Sequence, residues 1–348
     1  MTGLRFAGCA AGAGMTLALV AGCGGANTPT VPTPHGVANG ATRAGAAVPG
    51  DKRNVKRLIY VSEWRIGKPG IVSVFDYQTK QHVHTLSGFN QPTGQCVDAA
   101  GDIWIPQADG QSVTEYPHGE WTPIKTLHTS GRAFGCTVSP SGDLAVGNFD
   151  VGSAPGSIQV FKNASEPAQQ YRCPGFGYYD VPGYDGHGNL YVETIVDLRT
   201  GQTGVCELPA GGTALKPVTL NVTLNSTGSV MWDGKYITLT ENNYQRTYGT
   251  AIYQATESPS GNLTVVGTTV LTDRLGRPSG GRQPFILGNE NTPKNMHQAR
   301  IVVGLSASPS GDPVMAYWKY PAGGKPIELF SSRYKIRDFF GESVSIRN

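Results

Sequence analysis

From Leu58 onward, short apolar runs alternate with glycine-bearing turns. One unit recurs: a strand, a tight turn and a second strand. It reads Cys96-Val97-Asp98-Ala99-Ala100-Gly101-Asp102-Ile103-Trp104-Ile105 and then Cys136-Thr137-Val138-Ser139-Pro140-Ser141-Gly142-Asp143-Leu144-Ala145-Val146. It returns as Tyr184-Asp185-Gly186-His187-Gly188-Asn189-Leu190-Tyr191-Val192, and more weakly at 230–238 around Gly234. The glycines at 101, 142, 188 and 234 recur roughly every 45 residues. Glycine supplies the positive φ of each turn, and Asp or Asn caps it.

A second unit follows the first. Val113–Gly119 leads into 123–127, Glu207–Gly212 into 217–220, and Lys319–Gly324 into 326–329. Less regular copies lie at 72–86, 158–171 and 252–271. Four strands of five or six residues with their turns need about 40–45 residues. Residues 55–348, less an insertion near 272–290, therefore hold six such units. Six four-stranded units in series predict an all-β fold, a six-bladed β-propeller. The phase of the repeat adds a detail. Leu58-Ile59-Tyr60-Val61 reads as a second strand with no first strand before it. The end of the chain, Glu342-Ser343-Val344-Ser345-Ile346, alternates polar and apolar and supplies the missing strand. The C-terminal strand is thus expected to close blade one and remove an open sheet edge.

The Asp-x-x-Gly-Asn/Asp-Leu-Tyr-Val turn resembles that of six-bladed propellers of the NHL-repeat and TolB-like type. The resemblance covers most of 58–348. It implies fold and leaves function open, because such rings host binding, scaffolding and several chemistries.

The N-terminus reads as an address. Arg5 precedes an apolar run that is short for a membrane span. It ends in Leu19-Val20-Ala21-Gly22-Cys23, which resembles a bacterial lipobox. Residues 1–22 are expected to be a lipoprotein signal peptide, with Cys23 acylated as the membrane anchor. Residues 23–54 are rich in Gly, Ala, Thr and Pro and read as a flexible tether. The expected location is the cell envelope, outside the cytoplasm. In a Gram-negative host the residue after Cys23, Gly24 rather than Asp, points to the outer membrane.

Composition narrows the classes. Gly 47 and Pro 24 with only 15% charged residues exclude a coiled coil or helical bundle. The net charge of +3 comes without a Lys/Arg block, so no nucleic-acid partner is expected. There is no Gly-x-Ser-x-Gly elbow, and the Gly-rich segments are hairpin turns rather than phosphate loops.

Candidate chemistry falls on the longer second-to-third-strand loops and inter-blade links, since variable loops on a rigid ring usually bind ligands. Trp64, Phe149, Tyr244 and Tyr248 are candidate platform aromatics. Arg274, Arg277 and Arg282 in the 272–290 insertion are candidate donors to an acidic protein or anionic glycan. Glu63, Gln107, Asn148, Thr194 and Glu241 hold the same place after successive second strands. They read first as loop caps. Second, Glu63, Asn148 and Glu241 read as oxygen ligands of an axial Ca2+; no other cofactor is expected.

Two enzyme families come next. Gluconolactonase-like propellers carry an early Glu-Gly-Pro-x-Trp, whereas Glu63 is followed by Trp64-Arg65. A streptogramin-lyase-like site needs His and Glu with a metal; His297 is the one late His outside a turn, and His82/His84 sit on an outer hairpin. A binding or scaffold module for a protein or glycan is therefore the leading expectation, with a metal-dependent hydrolase or lyase behind it. Cys96 and Cys136 hold equivalent inner-strand positions that blade rotation points the same way round, so they read as buried thiols. Cys173 and Cys206 are open to bridging.

Overall fold

The structure is a computed structural model. It describes residues 57–347 apart from 66, 152–153, 198–201, 245–248, 259–260, 281–282, 288–300, 308–312, 331–335 and 337–338. The signal peptide, Cys23, the tether, Tyr248, Arg282 and His297 lie outside the described residues.

Among the described residues, twenty-five strands form six antiparallel sheets. Blade one holds β1 (Arg57–Glu63), β2 (Gly70–Asp76) and β3 (His82–Phe89). Blade two holds β4 (Cys96–Val97), β5 (Ile103–Gln107), β6 (Ser112–Tyr116) and β7 (Lys125–His128). Blade three holds β8 (Ala133–Val138), β9 (Leu144–Val151), β10 (Ala154–Phe161) and β11 (Gln169–Tyr171). In blade four the first strand is split into β12 (Tyr178–Tyr179) and β13 (Gly183–Tyr184), beside β14 (Leu190–Asp197), β15 (Gln202–Leu208) and β16 (Lys216–Val218). Blade five holds β17 (Val230–Trp232), β18 (Ile237–Tyr244), β19 (Gly249–Glu257) and β20 (Leu263–Val270). Blade six holds β21 (Phe285–Leu287), β22 (Ile301–Ala307), β23 (Pro313–Lys319) and β24 (Glu328–Leu329). The last strand, β25 (Phe339–Ile346), joins blade one as its first strand.

The closure has the expected register. Leu58 pairs with Ser345, and Val61 with Glu342. The alternation in β25 does not separate core from solvent, however. Ser343, Ser345, Glu342 and Val344 are all buried. The hydroxyls of Ser343 and Ser345 donate to the carbonyls of Gln95 and Gly101 in blade two, so the polar side of the strand faces a neighbouring blade.

The same logic explains the continuous apolar runs of the second strands. Ile59 and Val61 pack with Val303 and Met315 of blade six, while Leu58 and Tyr60 pack with Ile103 and Ile105 of blade two. Successive side chains on a strand point to opposite faces, and both faces of a blade are covered. Each of the other four interfaces has its own cluster: Trp104 with Val146, Ala145 with Val192, Tyr191 with Leu239, and Ile252 with Trp318.

The Gly-bearing turn is more widespread than its clearest copies. In 98–102, 139–143, 185–189, 258–262 and 273–277 the first amide donates to the fifth carbonyl, and the fourth amide returns to the first carbonyl. The last of these lies in the link between blades five and six.

One expectation is overturned. Cys96 and Cys136 are bonded to each other, with Cα atoms 5.4 Å apart. Cys173 and Cys206 form a second bridge. Rotation about the axis does relate the first pair, but the inner strands converge so closely that rotation does not keep them apart. Gly94 and Gly135 form a parallel bridge, and the Cys136 amide donates to the Gly94 carbonyl at 3.2 Å. This backbone bridge holds the two strands within the 4.4–6.8 Å range that a disulfide needs, while Gly94 and Gly135 leave room for Gln283 and Val181. The bridges join blade two to three and blade three to four.

Candidate functional site

Strand direction gives the ring two ends. First-to-second-strand turns such as Asp98–Asp102 lie at one, here the turn end. Second-to-third-strand loops and inter-blade links lie at the other, the loop end.

At the loop end, the oxygen-bearing residues after the second strands bond across to the third strand of their own blade or back to the preceding link. Glu63 Oε1 accepts from Ser73 at 2.7 Å, and Asn148 Nδ2 donates to Gln159 at 2.9 Å. Gln107 Oε1 accepts from the Asn90 amide, and its amide nitrogen donates to Thr114. Glu241 accepts from the amide and side chain of Asn225 through one oxygen and from the Tyr253 hydroxyl through the other. Thr194 donates to the Gly204 carbonyl. Among the described residues, no trio of His, Cys, Asp or Glu ligand atoms within 4.8 Å includes Glu63 or Glu241. The carboxylate at this level in blade four is Glu193, one residue before Thr194. It is fully buried, with Oε2 on the Gly228 amide at 2.7 Å and Oε1 unpartnered. Burial pushes its carboxyl well above the usual range, and Asp180 adds to the effect.

Aromatic rings close the axis at the loop end. Trp64 stacks on Phe340 at 5.4 Å, Phe340 meets Phe134 edge-on at 4.9 Å, and Phe134 stacks on Phe149 at 4.5 Å. Tyr178 continues the row at 5.1 Å from Phe149. The Arg132 guanidinium lies 5.7 Å over the Trp64 ring, within cation–π range. Phe134 and Phe340 are buried, whereas Trp64, Phe149 and Tyr178 keep part of their rings in solvent. The structure thus joins two predicted platform residues, Trp64 and Phe149, through two rings from inner strands. Tyr244 ends β18, and only its backbone is described.

The Arg274 and Arg277 candidates lie in the link between blades five and six, where the Thr250 amide near the start of β19 donates to the Ser279 carbonyl. The Asp273–Arg277 turn leaves the strand at Thr272, whose amide donates to Gly324 in the outer turn of blade six. Arg277 Nε donates to Asp273 Oδ2 at 2.6 Å, and Arg274 is exposed. The signal for this was in the chain: Asp273-Arg274-Leu275-Gly276 is another Asp-x-x-Gly turn. Of the imidazoles on the outer hairpin, His82 meets Thr85 at 2.8 Å and His84 stacks on Trp121.

A pocket of about 160 Å3 follows the axis from the turn end and is lined from all six blades. Its walls include Val97, Val138, Val181, Val230, Phe285, Val344 and the Cys96–Cys136 bridge. Gln95, Gln283 and Glu342 line it on the side nearer the aromatic rings, by the direction of their strands. Glu342 is fully enclosed. Neither carboxyl oxygen has a partner in good hydrogen-bond geometry, and Gln95 Oε1 is likewise unpartnered. Burial drives the Glu342 carboxyl well above the usual range, opposed by the nearby Phe285 backbone amide. The Gln283 carboxamide lies against Gly94 and Gly341, filling the space a Cβ would need at either.

Among the described residues, one trio has metal-ligand spacing: Asp98, Asp102 and Glu115, within 4.8 Å of one another. Its oxygens already have work. Asp98 Oδ1 caps the Ala100 and Asp102 amides, and Asp102 Oδ1 caps His118. Lys125 stands 4.0 Å from Glu115.

Neither a protein-family model nor a curated protein sequence matches the chain. Solved structures do. A chain of a nidogen/laminin complex aligns with a TM-score of 0.56 at 12% identity, covering 83% of this chain and 98% of that one. TolB from Acinetobacter baumannii aligns with 0.56 at 14% identity, over 83% of this chain and 66% of TolB. A protein of unknown function from Bacteroides caccae gives 0.52 at 12%, over 84% and 100%. At such identities the likeness shows the fold. The chain is a six-bladed β-propeller, similar in shape to TolB and to the nidogen/laminin propeller, and that fold is consistent with a binding or scaffold module.

Proposed function

We propose that the chain is a lipid-anchored, extracytoplasmic propeller that binds a protein or glycan partner at its loop end. The row of rings formed by Trp64, Phe340, Phe134, Phe149 and Tyr178 carries this reading. Part-exposed aromatic faces beside a guanidinium suit stacking against a sugar ring or an apolar side chain. Two inter-blade disulfides support an oxidising compartment, since such bonds are rare where thiols are kept reduced. The Cys23 lipobox resemblance supplies the anchor, and several acyl chains give stable attachment where one does not.

Two measurements test it. Cys23→Ser should move the protein from the membrane to the soluble fraction; retention with detergent-sensitive acylation overturns the anchor. Envelope glycan fractions and envelope proteins should be offered separately to purified wild type and to Trp64→Ala/Phe149→Ala. Loss of binding to one set, with the melting temperature kept, supports the loop-end site. Equal binding by both forms overturns it.

A further inference from the structure

We propose that the axial pocket opening at the turn end is a binding site for an organic cation, an ammonium or guanidinium group placed against Glu342 with its alkyl stem along the apolar walls. This goes beyond the loop-end reading, and the two sites lie at opposite ends of the axis.

Three observations carry it. First, Glu342 lines the pocket with two buried, unpartnered carboxyl oxygens, and Gln95 adds an unpartnered carboxamide oxygen. A buried carboxyl without partners is a costly arrangement that native structures rarely keep without a use. Second, the described charged residues of the lining are Asp98, Asp185 and Glu342; no Lys, Arg or His is among them. The described lining is therefore acidic and carries no cationic group to pair with an anion. Third, the size and walls suit an organic group. A cavity of ~150 Å3 holds benzene, so about 160 Å3 accommodates a short alkylamine or the end of a Lys or Arg side chain. A Ca2+ ion needs six to eight oxygen ligands, more than the Glu342 carboxyl and the Gln95 and Gln283 carboxamides supply.

The ammonium or guanidinium can belong to a free amine or to a protein side chain, and the test separates the two. Full-length protein in detergent is titrated calorimetrically with n-pentylammonium, agmatine, n-pentanol and a blocked Lys tripeptide. The ammonium should bind at least about tenfold more tightly than the alcohol, as expected for a hydrogen bond to a charged group. Glu342→Gln should erase that preference while keeping the fold. Ala99→Trp, a change at an exposed position of the mouth, should block both amine and alcohol. Tighter binding of the tripeptide assigns a protein-borne cation; tighter binding of the free amines assigns a small molecule. Equal affinity for ammonium and alcohol, undiminished amine binding by Glu342→Gln, or absence of amine binding up to millimolar overturns the proposal. So does a stoichiometric metal that is lost with Glu342→Gln.

Discussion

The hydroxyl of Ser345 donates to the carbonyl of Gly101, tying the closing strand of blade one to the first turn of blade two. The bond spans 244 positions of the chain. Ser345 Oγ has one proton and gives it to Gly101, so it accepts from His118 Nδ1, and that nitrogen carries the imidazole proton. Ser345→Ala leaves the buried Gly101 carbonyl without this donor. It should cost about 1–3 kcal/mol. Deletion of 341–348 should do more, because β1 loses its partner strand and exposes an edge. Chemical denaturation of both variants, with light scattering for the deletion, checks this; a deletion variant as stable as the full chain would refute closure.

Gly101 and Gly142 offer a controlled comparison. Their φ values are +88° and +89°. An alanine at either meets the same left-handed penalty, about 1–2 kcal/mol. The surroundings differ. A Cβ at Gly101 would sit 2.4 Å from the Ile346 carbonyl, whereas one at Gly142 meets nothing within 4 Å. Gly101→Ala should therefore be clearly more destabilising than Gly142→Ala, by displacing the end of the closing strand. Equal losses in urea midpoints would mean that the Ile346 contact contributes nothing.

Much of the fold is legible in the chain because each blade repeats a local device. The Asp98, Ser139 and Asp185 turns mark strand ends, and the unpaired run at Leu58 points to the closing strand. The disulfide between Cys96 and Cys136 is hidden because it depends on how closely two inner strands approach, an inter-blade contact made through the Gly94–Gly135 bridge that no local pattern announces. The site is harder to see. Trp64 and Phe149 stand out as loop aromatics, but Phe134 and Phe340 read as ordinary strand residues, and only ring convergence brings them together. Glu342 shares its side of the strand with Val344 and Ile346, so the alternation assigns a carboxyl to the apolar face. In the propeller's innermost strand that face turns to the axial pocket, which Glu342, Val344 and Ile346 all line.

The disulfides should be worth measuring one at a time. They enclose separations of 40 and 33 residues, close enough for similar loop-closure entropies. Each should contribute about 2–4 kcal/mol. Cys173→Ser/Cys206→Ser and Cys96→Ser/Cys136→Ser should both melt well below wild type, and a reducing agent should lower wild type most and each variant further, because each keeps the other bridge. The Cys96 pair also lines the axial pocket, so its removal should weaken amine binding where removal of the Cys173 pair does not. A melting temperature indifferent to reduction would show that the bridges do not form in solution.

Glu342 predicts a pH signature. Its ordinary value is 4.5, and burial raises it well above that in the folded chain. Between 4.5 and the raised value, the folded state keeps a proton that the unfolded state has released. Stability from this group is therefore full below 4.5 and falls as pH rises towards the folded value. The fall is at most about 1.4 kcal/mol per pH unit for one group. Glu193 is shifted in the same direction and adds its own loss, so wild type alone does not isolate Glu342. The difference between wild type and Glu342→Gln does, because the variant keeps Glu193 and has no proton to lose at 342. The variant should match wild type near pH 4 and become progressively more stable than it towards neutrality. Urea unfolding of both proteins across pH 4–8 measures this. A saturating alkylammonium should then close the gap from the other side, since a cation beside Glu342 favours its ionised form and stabilises wild type alone. Parallel stability curves, with or without the amine, would show that the Glu342 carboxyl is neither held protonated by burial nor available to a cation.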